Sequence, residues 1–327
     1  MNYKYIDMHC DTLLKEFKNK KLYDNPENML DISRMVKAGQ AAQFFAIFFP
    51  PQNINGQTLP EEFPVFPSDE QLFEQARTLL FETAEKYPEH FGIAFTSDDI
   101  KKNINMGRCS AILTIEDGRM INGDISMLPF FYDAGVRVIG LTWNYSNYIG
   151  FPNSPDPDKM SLGLTDFGKE AVYEMNKLGI IVDVSHLSDG GFLDVAEVSS
   201  KPFIASHSNC RALCNHPRNL TDKMIKTLAT HGGITGLNFC PMFLSNDGKN
   251  NSRVEDLCRH IIHLINTGGE DCVALGTDFD GISGEFEIGQ PTEMKKLFMT
   301  LEQKGLSERQ LEKLAYGNVL RVLEESL

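Results

Sequence analysis

The chain has no excess of positive charge, no stretch long and apolar enough to cross a bilayer, no tandem repeat and no low-complexity linker. Lys and Arg number 31 against 45 Asp and Glu, a formal charge of −14. A surface this acidic repels phosphate backbones and anionic lipid, so neither nucleic acid nor a membrane is expected as a partner. The most apolar early run, residues 41–49, contains Gln43 and stops at Pro50-Pro51, short of the ~20 residues that a spanning helix needs. The N-terminus shows no basic segment followed by an apolar one, so no export signal is read and a cytoplasmic location is expected. Seven cysteines, an odd and scattered number, exclude a disulfide framework and fit reduced thiols. Cys210 and Cys214 form a C-x3-C without a second pair and read as small buried apolar residues.

With 42% hydrophobic and 23% charged residues over 327 positions, the composition is that of a globular protein with a large core. Short β-rich runs recur near Tyr5–His9, Gln43–Phe49, Ser110–Ile115, Val136–Thr142, Ile180–Ser185, Phe203–Ser206, Ile234–Asn238 and Val273–Gly276. Helical patterns separate them. Residues 68–87 open on Ser68 as a cap with Gln71 at the capping-box position, residues 164–179 run from a Thr165 cap to Gly179, and residues 221–233 repeat the arrangement. Eight strands alternating with helices predict a single α/β domain over residues 1–327, a closed (β/α)8 TIM barrel, with an open doubly wound sheet as the alternative. Two βα connections, about 50–70 and 144–163, are long and rich in breakers. Both leave the strand C-terminal side, where barrel enzymes keep their active sites, and both are candidates for a lid or substrate wall.

The residues that carry chemistry sit at the same end. His9 and Asp11 flank one residue in "MHCDT", Glu116 ends "ILTIE", His186 ends "IIVDVSH", His207 ends "FIASH", and Asp278 and Asp280 lie in "GTDFDG". Alone, each has a bland reading as a cap, a turn former or a satisfied histidine. Together they occupy the tips of five different strands, which a barrel gathers around one mouth. Three imidazoles and two or more carboxylates exceed what one catalytic zinc needs, so two ions sharing a carboxylate fit better.

In order and spacing these motifs, with Arg218-Asn219 between them and "YGNVLRVLE" at the end, resemble the renal (membrane) dipeptidase family, zinc peptidases of family M19. The resemblance implies a (β/α)8 barrel of the metallo-dependent hydrolase type with two zinc ions. His9 and Asp11 would hold one ion, His186 and His207 the other, and Glu116 would bridge them. It further implies a dipeptidase in which a metal-bridging hydroxide attacks the peptide carbonyl, Asp278 moves the proton, and Arg218 clamps the substrate carboxylate. A homodimer carries over as a weaker expectation. Mammalian members have a histidine after Leu-Thr on the fourth strand; this sequence has Trp143, so either the Trp143 N–H or the Asn144 amide would supply the substrate hydrogen bond, or the zinc alone would do so with Trp143 a wall of the pocket.

Other histidines are expected to stand apart: His260 and His263 share a helix face read as solvated, and His90, His216 and His231 lie singly in loops or helix ends, with His216 close enough in sequence to Arg218 to support it. Asp280 is expected to orient the loop after the eighth strand or to support a ligand. Two alternatives remain at this point: another metal-dependent amidohydrolase acting on an N-acyl amino acid, cyclic amide or lactone, or a catalytically idle barrel used for binding.

Overall fold

β-branched and aromatic residues dominate eight short runs that become parallel strands: β1 (Ile6–Asp7), β2 (Ala42–Phe48), β3 (Cys109–Glu116), β4 (Val136–Gly140), β5 (Ile181–Asp183), β6 (Ile204–Ala205), β7 (Ile234–Leu237) and β8 (Val273–Leu275). The computed structural model describes residues 4–50 and 68–327. The expected connection at 50–70 falls mostly outside the described residues.

Each strand pairs in parallel with its neighbours in chain order, and β8 pairs back with β1, so the sheet closes into the expected barrel. A further short strand, Phe91–Ile93, lies beside the first residues of β3, while β4 takes the same side of β3 further along. A two-stranded ribbon of Asn251–Ser252 with Glu285–Phe286 ties the loop after β7 to the loop after β8. None of these three short strands is visible in the sequence pattern, because two or three residues carry too little periodicity.

Side chains alternate across a strand, so each strand serves two cores. Ile6, Phe44, Ile112, Val138, Ile181, Ile204, Ile234 and Ala274, one from each strand, meet inside the barrel. The C-terminal helix Asn318–Ser326 presses Val319, Val322 and Leu323 onto them. Residues of opposite parity, such as Phe45, Leu113, Ile139 and Val182, pack outward with helix residues Leu72, Phe73 and Val172. At ~25 cal/mol per Å² of apolar area, each fully buried Ile or Phe contributes about 2 kcal/mol, so the two layers make a stiff scaffold for the strand tips.

Helix boundaries follow the expected caps. Ser68 accepts from the Gln71 amide ahead of Asp69–Lys86, Thr165 accepts from the Gly168 amide, and Gly179 closes Asp166–Leu178 in the left-handed region at φ 79°. The connection at 144–163 is more ordered than its composition suggests: Pro152 bridges to Leu187, and Pro157–Met160 forms a helical turn. Among the described residues, no helix is long and apolar enough to cross a membrane.

Candidate metal centre and substrate cleft

β3 carries its alternation to its last residue, so Glu116 points into the barrel mouth and is buried. Its carboxylate faces two ways. Oε2 lies 3.4 Å from His9 Nε2, whereas Oε1 lies 2.9 Å from His186 Nε2 and 3.6 Å from His207 Nε2. The nitrogens of His186 and His207 are 3.1 Å apart, and the rings of His9 and His207 stack at 3.8 Å. Asp11 Oδ2 and Asp278 Oδ1 approach His9 Nε2 at 3.6 and 3.8 Å. Ligand atoms of His9, Glu116 and His207 lie within 4.8 Å of one another, as do those of His9, Asp11 and Asp278.

Strand geometry alone does not deliver all of these residues. β1 ends at Asp7, so His9 and Asp11 converge from the turn beyond it, with Asp11 immediately before the helical turn Thr12–Lys15 and its side chain making no cap bond to that turn. His186 and Asp278 sit at φ 68° and 64°, a left-handed conformation that non-glycine residues rarely adopt and that is often held at functional sites. Gly281 completes the turn after Asp278: a Cβ there would lie 1.9 Å from Asp11 Oδ2, so that position has to lack a side chain.

Hydrogen bonds fix which imidazole nitrogen faces inward. Ser206 donates its hydroxyl proton to Asp183 Oδ2 and so receives the His207 Nδ1 proton at 2.7 Å. His186 Nδ1 bonds the Asn144 side-chain oxygen Oδ1 at 3.0 Å. In both rings Nδ1 is therefore the donor, and Nε2 turns a lone pair toward Glu116. His9 Nε2 and Asp11 Oδ1 are buried without a hydrogen-bond partner among the described residues. Inward-facing lone pairs, a divided carboxylate and orphaned buried polar atoms are the donor set of a divalent cation centre, and the nitrogen–oxygen mixture suits zinc.

The electrostatics of the ring follow from crowding. Burial disfavours charge on His9, yet Glu116 and Asp11 outweigh it and raise its pKa well above the ordinary imidazole value. Burial would raise Glu116, but His9 and the His186 contact hold it well below the usual carboxylate range. His186 is pushed down to about 4 by burial and by Arg218, and His207 is lowered by burial, His9 and Arg218. Burial, with Glu116 adding repulsion, raises Asp11; burial foremost raises Asp278.

A cleft of ≈ 340 Å³ opens over this ring, walled by Phe48, Trp143, Asn144, Arg218, Phe243 and Ile282 among others. Arg218 is buried over the Phe243 ring at 5.5 Å, with Nη atoms 3.3 Å from Ser208 Oγ and the His207 carbonyl, while its Nε has no hydrogen-bond partner among the described residues. Trp143 stands at the cleft beside Phe48. Asn144 lines the cleft as well, its side-chain oxygen bonded to His186 Nδ1, which leaves its amide nitrogen as the donor. Sequence reasoning missed Asp183, Ser206 and Asn238, the last donating 2.8 Å to Asp278 Oδ2. Hydroxyls preceding both histidines in "VSH" and "ASH" were the available signal.

The other expectations divide. Asp280 does orient its loop: it accepts from Thr12 Oγ1 at 2.7 Å, Met29 N at 2.7 Å and Lys15 Nζ at 3.0 Å. Cys210 and Cys214 are buried thiols, as expected. His260 is not on a solvated face; it is 1% exposed, accepting from the Cys210 amide at 3.1 Å and bonding the Leu244 carbonyl at 3.0 Å. His263 pairs with Asp222 at 2.7 Å.

Comparison with known proteins points the same way. The sequence model of "Membrane dipeptidase (Peptidase family M19)" matches residues 1–326. Dipeptidase tcpJ of Claviceps purpurea is 30% identical over 298 residues, 90% of this chain and 69% of that protein. A protein of the pqqA 5′ region of Klebsiella pneumoniae is 41% identical over 218 residues, 64% of this chain and 79% of its own. A metallopeptidase from Rhodobacter sphaeroides, solved with a phosphinate mimic of the dipeptide L-Ala-D-Ala, superposes with a TM-score of 0.88 at 31% identity, covering 100% of both chains. The chain belongs to the membrane dipeptidase family, peptidase family M19.

Proposed function

We propose that this protein is a zinc dipeptidase whose two-metal centre is built by His9, Asp11, Glu116, His186 and His207. The observation that carries the reading is the Glu116 carboxylate, one oxygen turned to His9 and the other to His186 and His207. Two cations at close range repel, and a carboxylate shared between them offsets that repulsion. Zinc bound there would polarise the peptide carbonyl and lower the pKa of an attacking water toward ~7.

The chain's own groups supply the rest. Asn238 holds one oxygen of Asp278, leaving Oδ1 directed at the ring. That oxygen accepts the proton of the attacking water and returns it to the departing amine nitrogen, and burial, which raises its pKa, suits a group that must both take and give. Arg218 pairs through its fork with the carboxylate of the C-terminal residue, limiting substrates to short peptides. Trp143 forms a wall. Asn144 keeps the His186 lone pair aimed inward. Dipeptides are the substrate class, in keeping with the ligand of the Rhodobacter sphaeroides relative; a cytoplasmic homodimer is the proposed working context.

The amidohydrolase alternative usually uses an H-x-H pair and a modified lysine bridge, whereas His9-x-Asp11 and Glu116 occupy those places. The test is a panel of L,L and L,D dipeptides beside N-acyl amino acids, assayed with zinc-loaded wild type and Arg218→Ala. Hydrolysis of dipeptides with KM raised at least ~10-fold in the variant is expected. Turnover of N-acyl amino acids instead, or an unchanged KM, contradicts the assignment.

A further inference from the structure

The walls of the cleft differ in chemistry, and strand order fixes where each lies. In an eight-strand ring β2 stands across from β6, with the candidate ligands between them. Arg218 belongs to the loop that follows β6. On the far side, Phe48 ends β2 as the register partner of Glu116. Partners in parallel strands share a face, so Phe48 points into the mouth as Glu116 does. Trp143, three residues beyond β4, packs its ring against Phe48 at 4.7 Å and 60°, is backed by Tyr145 at 5.8 Å, and lies 6.2 Å from the His186 ring. The result is an aromatic shelf on the β2–β4 side, opposite the guanidinium.

We infer that Phe48 and Trp143 form the pocket for the side chain of the substrate's N-terminal residue, and that the enzyme selects dipeptides in which this side chain is large and apolar. The inference rests on the dipeptidase reading and on Arg218 as the carboxylate clamp. A dipeptide spans ~7 Å. With its carboxylate at Arg218 and its scissile carbonyl over Glu116, its N-terminal residue lies toward the shelf. The charged side chains lining the cleft, Asp11, Glu116, Arg218, Asp278 and Asp280, belong to the ring, its supports or the clamp, and none lies on the aromatic shelf. An acidic N-terminal side chain would lose hydration against the aromatic shelf with no cation there to pair with, a small one would leave the half-buried Trp143 indole in water, and a leucine or phenylalanine would cover it.

The experiment uses zinc-loaded wild type, Trp143→Ala and Trp143→Phe with Phe-Gly, Leu-Gly, Gly-Gly and Asp-Gly. Trp143 is the single tryptophan of the chain, so its emission reports the pocket directly when phosphinate analogues of Phe-Gly and Gly-Gly are titrated. Expected are a kcat/KM for Phe-Gly and Leu-Gly at least ~10-fold above Gly-Gly and Asp-Gly, collapse of that ratio to within about 3-fold in Trp143→Ala, and its retention in Trp143→Phe, with zinc content unchanged. The Phe-Gly analogue should shift the emission more than the Gly-Gly analogue. Equal kcat/KM across the panel in wild type, or a preference that survives Trp143→Ala, overturns the pocket while leaving the dipeptidase reading intact. Failure to cleave any dipeptide overturns that reading and the pocket with it.

Discussion

Replacing one oxygen of Glu116 by nitrogen separates its role as a shared ligand from its role as a filler of space. Glu116→Gln keeps the shape but removes the charge that faces His9 on one side and His186 and His207 on the other. The expected outcome is a folded protein with less than one zinc per chain and kcat lowered by at least ~100-fold, read by elemental analysis and a dipeptide assay. Gly281 makes a different demand, because a methyl group there would collide with Asp11 Oδ2 at 1.9 Å and Asp278 Oδ1 at 2.5 Å. Gly281→Ala should cost about 1–3 kcal/mol of stability and weaken zinc retention; thermal melts with and without zinc check both. The ligands themselves were legible as polar residues closing apolar runs. Gly281 and Asn238 were not, since the clearance of Gly281 depends on Asp11 at the other end of the chain and the reach of Asn238 on Asp278, 40 residues further on.

Elements set the mouth loops in place, and His260 shows how. It rides on the helix Val254–Gly268 and bonds the Cys210 amide in the loop after β6 and the Leu244 carbonyl in the loop after β7, the loops that also carry Arg218 and Phe243. Burial pushes its pKa down to about 4. An unfolded histidine titrates near ~6.5, so the neutral ring stabilises the fold fully above that pH, and this contribution, about 3 kcal/mol, is lost as pH falls toward 4. His260→Gln does not titrate, so the stability gap between wild type and variant should be widest above pH 6.5 and close toward pH 4 in denaturant melts. A gap independent of pH would contradict the assignment. Periodicity placed the helix but not its buried face, because a histidine bonded on both nitrogens inside the protein looks in sequence like one facing water. The eight barrel strands were readable for the opposite reason: continuous β-branched runs have few other fates. The short strands Phe91–Ile93, Asn251–Ser252 and Glu285–Phe286 arise from tertiary pairing and left no pattern.

At the scale of the whole molecule, closure of the sheet between β8 and β1 is what turns five separated motifs into one ring. The interior cluster, with the C-terminal helix pressed onto it, fixes the strand tips so that the inward-facing groups have no route apart. The α/β alternation and the acidic charge were apparent from composition and spacing; the two-sided use of Glu116 required the fold. The most direct test of the account is an anomalous difference map at the zinc edge from crystals grown with zinc. Two peaks flanking the Glu116 carboxylate are predicted, one contacted by His9 and Asp11 and the other by His186 and His207. A map without peaks at Glu116, or with a single ion that leaves either pair of ligands uncoordinated, would contradict it.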